Sequence, residues 1–229
     1  MARDDVDRYL QATSFIDFDK VEVRSFGERV CRREGGDSRK DKAIRLFYAV
    51  RDEIRYDPYD IRYSPEALRA STIIGKGSGY CVAKAVVLAA VGRQQGIPSR
   101  LGFADVRNHL STARLREVMG TDLFFYHGYT EFFLEGRWVK ATPAFNLSLC
   151  RRFQVKPLEF DGQHDAVFHE YDAEGRRHME YITDHGSYGD LPFAEIFAAY
   201  RRHYPAMFAN LSGISGDFQA EAEAERTGR

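Results

Sequence analysis

The sequence is poor in cysteine. Three occur among 229 residues, Cys31, Cys81 and Cys150, an odd number too small for a disulfide framework. They form no C-x-x-C pair, which argues against a thiolate zinc site. No carboxylate cluster stands at ligand spacing, so neither a metal nor a cofactor is expected. An excess of charge is missing as well. Lys and Arg total 33 against 34 Asp and Glu, a net charge of −1, without the basic footprint of a nucleic-acid binder. No apolar run approaches the ~20 residues that cross a bilayer. The start, Met1-Ala2-Arg3-Asp4-Asp5, leads into no apolar core of signal-peptide type. These absences predict a cytoplasmic protein without nucleic-acid or membrane partners, and they leave its oligomeric state open. Repeats, low-complexity linkers and steps in charge density are also lacking. Residues 1–229 are therefore read as one domain.

What is present is a core. Hydrophobic residues make up 44%, enough to bury. Ala43, Leu46, Phe47, Val50 and Ile54 recur at helical spacing and predict a helix from about Lys40 to Ile54, capped by Asp37 or Ser38. Ser64 and Pro65 predict the start of a short helix. Gly75, Gly77 and Gly79 make a loop, and a strongly apolar helix follows from Cys81 to about Gln95. Gly96-Ile97-Pro98 stops it. Residues 100–106 read as a strand, and a short helix is expected near 112–119. Residues 126–134 and 138–142 predict a hairpin about Glu135-Gly136. A further helix is expected from Leu191 to Tyr204. Phe15 to Phe18 reads as an edge strand, Val21 to Cys31 is ambiguous, and 155–181 is irregular. The expected fold is α+β, a buried cysteine helix packed on an antiparallel sheet. Its core is about 40–146, with 147–210 covering a cleft and 213–229 a fraying tail.

The chemistry centres on Gly79-Tyr80-Cys81. A thiol at a helix start faces unpaired backbone N–H groups and the positive end of the dipole, which favours thiolate. The plain alternative is a small core residue, since free cysteine is often buried. The glycines just upstream tip the balance, because a core cysteine needs no such approach space. The N–H of Cys81 and one from the Gly79–Tyr80 loop are candidate oxyanion donors. Lys84, one turn on, reads first as a snorkelling side chain. Of seven histidines, His127 stands apart at a strand start among Phe125, Tyr126 and Tyr129. The other six, His178 and His185 among them, read as surface or structural residues.

Three features come in a fixed order: a helix ending in Ile54-Arg55-Tyr56-Asp57; Gly79-Tyr80-Cys81 with its helix closed by Gly96-Ile97-Pro98-Ser99-Arg100; and His127-Gly128-Tyr129-Thr130-Glu131 returning through Gly136-Arg137-Trp138-Val139. In these, residues from about Lys42 to Asn146 resemble the transglutaminase-like superfamily of papain-fold cysteine enzymes. The resemblance implies Cys81 as nucleophile and His127 as base. It implies acyl transfer from, or hydrolysis of, an amide or isopeptide bond through a Cys81 thioester. The substrate would be a peptide, a protein or a small amide. The family's usual aspartate before proline is replaced by Thr142 in Lys140-Ala141-Thr142-Pro143. A two-residue turn at Glu135-Gly136 sets Thr142 opposite Tyr129, diagonal to His127. Its hydroxyl can accept a hydrogen bond but supplies no charge. Asn146 and Asp105 are the alternative third members. A non-catalytic relative serving as a protein-binding module is the competing reading.

Overall fold

The computed structural model describes residues 3–32, 36–109, 111–167, 175, 178–209 and 216–227. In chain order the elements are α1 (Arg3–Asp7), α2 (Val21–Cys31), α3 (Arg39–Glu53), β1 (Arg55–Tyr56), α4 (Ala70–Lys76), β2 (Ser78–Gly79), α5 (Cys81–Gln94), β3 (Ser99–Asn108), α6 (Ala113–Met119), β4 (Leu123–Leu134), β5 (Arg137–Ala141), α7 (Leu147–Phe153), β6 (Met179–Tyr188), α8 (Phe193–His203), α9 (Pro205–Ala209) and α10 (Phe218–Thr227). The fold is α+β. Helix α5 is buried from Cys81 to Arg93, wrapped by α2, α3 and α4 and by an antiparallel sheet in the order β5-β4-β3-β6.

Local chemistry explains the elements that were anticipated. Ser38 caps α3 through a capping box: its hydroxyl accepts the Asp41 N–H at 3.1 Å, and Asp41 accepts the Ser38 N–H at 3.3 Å. Helix α5 ends where Gly96 takes φ 72° and Ile97 N–H returns to the Gly92 carbonyl at 2.9 Å. The hairpin turns at Glu135 and Gly136, with Leu134 opposite Arg137.

Other elements differ from expectation. Val21–Cys31 is a helix, and Ala70–Lys76 is a helix where a glycine loop was expected to begin. Phe15–Phe18 forms no strand. Ile16 is buried, and the Asp17 carboxylate accepts the Ser71 N–H at 3.0 Å, tying the segment to the first turn of α4. Ser64 caps no α-helix. It bonds Glu66, and only a single 3-10 turn, Glu66–Leu68, follows. Strand β6 begins in the last three residues of the stretch read as irregular and runs on through residues for which no element was expected. As an edge strand it is mostly exposed, so its sequence carries no apolar alternation. The tail forms α10, anchored by buried Phe218 against Phe153 and Tyr56.

Lys84 does not snorkel. It is fully buried, and its ammonium donates to the carbonyls of Arg51 at 2.9 Å and Ile54 at 2.6 Å. It thus satisfies carbonyls left open at the end of α3. Burial holds its pKa well below the ordinary lysine value.

Candidate active site

Cys81 is the first residue of α5, with Tyr80 as its N-cap. Backbone places it there. The short parallel pair of β1 and β2 sets Tyr56 beside Gly79, and Asp57 N–H donates to the Gly79 carbonyl at 3.1 Å. A Cβ on Gly79 would meet the Ala83 Cβ at 2.7 Å. The glycine thus serves close packing of the turn on its own helix.

On the other side lies β4. A Cβ on Gly128 would stand 2.9 Å from the Val82 Cα, so strand and helix touch backbone to backbone. Thr130 Oγ1 donates to the Ala85 carbonyl at 2.9 Å. Gly128 lies beyond the last β4–β5 pair, Thr130 opposite Ala141. Its N–H lies near enough to the Cys81 sulfur to favour the thiolate, as do those of Val82 and Cys81 itself. The sulfur therefore meets the strand at the residue that follows His127.

Residues 24–143 match the core model of the transglutaminase-like superfamily. The chain belongs to the transglutaminase-like superfamily. A solved structure described as a candidate cysteine protease from Cytophaga hutchinsonii is similar at 13% identity and a TM-score of 0.48. The match covers 82% of this chain and 55% of that one, so the chain spans about half the length of that protein. Among curated proteins none matches.

The protonation states of this transglutaminase-like site reverse one expectation. Burial pushes the Cys81 thiol up to about 11, outweighing the three N–H groups that pull it down. Burial alone lowers His127 to about 3. The resting pair is a thiol and a neutral imidazole, not thiolate and imidazolium. The helix start does act on the sulfur, but desolvation is the larger effect. At pH 7, iodoacetamide is expected to label half-buried Cys31 before Cys81, and Cys81 labelling should climb only towards pH 11. Peptide mapping across a pH series is the check.

The remaining predicted residues are placed as follows. His127 is buried opposite Ala104 of β3, on the same sheet face as Tyr129. Thr142 is buried just past β5, and its N–H donates to the Ala166 carbonyl at 3.0 Å. Its hydroxyl makes no hydrogen bond among the described residues. It lines a small cavity with Cys150 and His178. Asn146 faces the end of α3: it accepts the Tyr56 N–H at 2.7 Å and donates to the Ile54 carbonyl at 3.0 Å. That occupies its amide with the same helix end that holds Lys84. Asp105 accepts the Tyr126 N–H at 3.0 Å and lies 2.7 Å from His185 Nε2. Tyr126 has φ 53° and stacks on the His185 ring at 4.0 Å. Asp105 thus anchors the bulge just before His127.

Sequence reasoning reached the walls of the site only in outline, with Tyr80 in the loop before Cys81 and residues 147–210 over the cleft; it did not single out Tyr56, Tyr200 or Tyr204. Tyr56, Tyr80, Tyr200 and Tyr204 stand close enough to Cys81 for its charge to raise their pKa values, after burial has raised them most. The apolar face of α8, which carries Tyr200, was the local sign of the outer wall. His178, read as surface or structural, is buried. Among the described residues no three His, Cys, Asp or Glu side chains gather as a metal site. No helix there is long and apolar enough to cross a membrane.

Proposed function

We propose that this protein is a thiol acyl-transfer enzyme, hydrolysing an amide or isopeptide bond through a Cys81 thioester. The observation that carries the reading is Cys81 at the start of α5, where the strand packs backbone to backbone on the helix at Gly128, the residue after His127. In the proposed reaction the neutral His127 imidazole takes the thiol proton as sulfur attacks the carbonyl carbon. The N–H groups around the sulfur are the donors nearest the developing oxyanion. The tetrahedral intermediate collapses, and the amine leaves with the proton from His127. Water, deprotonated by His127, then releases the acid and restores the thiol. Thr142 as third member rests on strand register alone, and as a neutral residue it would stabilise the imidazolium less than a carboxylate.

A panel of p-nitrophenyl esters from acetyl to hydrocinnamoyl tests this. Acid-quenched protein is expected to carry the acyl group on Cys81, located by peptide mapping. A second reading, a binding module without catalysis, is favoured by the buried neutral pair and by Thr142 at the third position. Absence of an adduct from every ester would select it.

The histidine carries its own prediction. Its folded pKa lies below the ordinary value of 6.5, so the unfolded chain binds the extra proton first as pH falls. The stability tied to neutral His127 is present above pH 6.5 and lost towards pH 3. The stability difference between wild type and His127→Gln is therefore expected to shift against wild type over that window. Urea midpoints at stepped pH measure it.

A further inference from the structure

The cleft over Cys81 has a uniform lining. Tyr56, Phe124, Phe125, Tyr200, Tyr204 and Met207 dominate it, and none of its eleven lining side chains is charged. The polar end of Tyr204 is already committed. Its hydroxyl donates to the Leu123 carbonyl at 2.9 Å and accepts the Phe125 N–H at 2.7 Å. It therefore offers the cleft a ring rather than a hydrogen bond. Tyr200 of α8, Tyr204 between the two helices and Met207 of α9 close the outer side. The free space left is about 30 Å³, room for only one or two waters.

We infer that the acyl group accepted here carries a bulky, uncharged apolar side chain, aromatic by preference, which enters beside Cys81 as the Met207 side chain yields. The inference rests on the reading of Cys81 as nucleophile. A carboxylate or ammonium in this cleft would lose its hydration and meet no opposite charge. A primary amide would give up its hydration for at most the phenol oxygens of Tyr56, Tyr80 and Tyr200. An aromatic ring meets edges and faces of like kind and the polarisable sulfur of Met207. Met207 itself is unbranched, so it can yield space by changing rotamer.

Chloromethyl ketones of N-acetylated Phe, Ala, Gln and Glu test the inference, since each presents one side chain beside the same electrophile. Rates of Cys81 alkylation are read by peptide mapping and normalised to each probe's rate with glutathione. The Phe probe is expected to exceed Ala by at least about tenfold, with Gln and Glu below Ala. Met207→Glu places a charge on the wall and is expected to abolish the Phe preference. Met207→Gln, milder for folding, should reduce it. Equal rates for all four probes would overturn the inference and leave Cys81 as nucleophile. Cys81 left untouched by every probe even towards pH 11, where its thiol ionises, would overturn both. A Phe preference unchanged in folded Met207→Glu and Met207→Gln would overturn the assignment of α8–α9 as the wall.

Discussion

Cys81→Ala is expected to fold and to form no thioester with any activated ester. The substitution removes one small atom at a helix start, beside a cleft that already holds a little free space. A cost on the order of 1 kcal/mol follows for so small a change. The three N–H groups that face the sulfur belong to the first turn of α5 and to Gly128 past the end of β5 pairing. Water in the cleft can take them up. The chemical effect is far larger, because no other thiol stands at this junction. Cys150 lies in a separate cavity and Cys31 on α2. Loss of a nucleophile that acts as a unit with its base costs about 10⁴-fold or more. Thermal melts and the burst of p-nitrophenol, read side by side, separate the two effects. A burst that survives in Cys81→Ala would end the nucleophile assignment. A protein that fails to fold would instead make Cys81 a structural residue.

The second large effect is expected at Lys84. Lys84→Ala removes a fully buried side chain together with two hydrogen bonds to the end of α3. A buried aliphatic stem cut to alanine leaves a cavity that costs about 2–5 kcal/mol. The Arg51 and Ile54 carbonyls still receive the amide of Asn146, so they are not wholly abandoned. A loss of about 3–5 kcal/mol is expected, enough to unfold a marginal domain. Lys84→Met keeps the volume and discards the charge, so it should cost much less. The lysine also has a pH signature. Burial depresses its folded pKa below 10.5, so the unfolded chain binds the proton first as pH falls. Wild type should therefore gain on Lys84→Met as pH rises from neutrality towards 10.5. Urea midpoints of both proteins at stepped pH test this, and parallel curves would show that Lys84 is not depressed.

Both predictions turn on the division between near and distant information. The sequence by itself determined the elements whose causes are local: the Ser38 cap, the nearly all-apolar run of α5, its stop at Gly96-Ile97, and the turn at Glu135-Gly136 that places Leu134 opposite Arg137. It also set Cys81 at a helix start and His127 on a strand, because periodicity and turn residues are read over a few positions. Edge strand β6 was not legible, since an exposed strand has no buried face to imprint alternation on its residues. Lys84 showed only as one polar residue in an apolar run, and the acceptors that explain it lie 30 and 33 positions away. The same holds at the reactive thiol. Local sequence argued for a thiolate. The phenols of Tyr200 and Tyr204, brought over Cys81 by a helix more than a hundred residues downstream, belong to the burial that pushes the thiol up to about 11. Desolvation is set by everything packed around a group, and only the tertiary structure decides what that is.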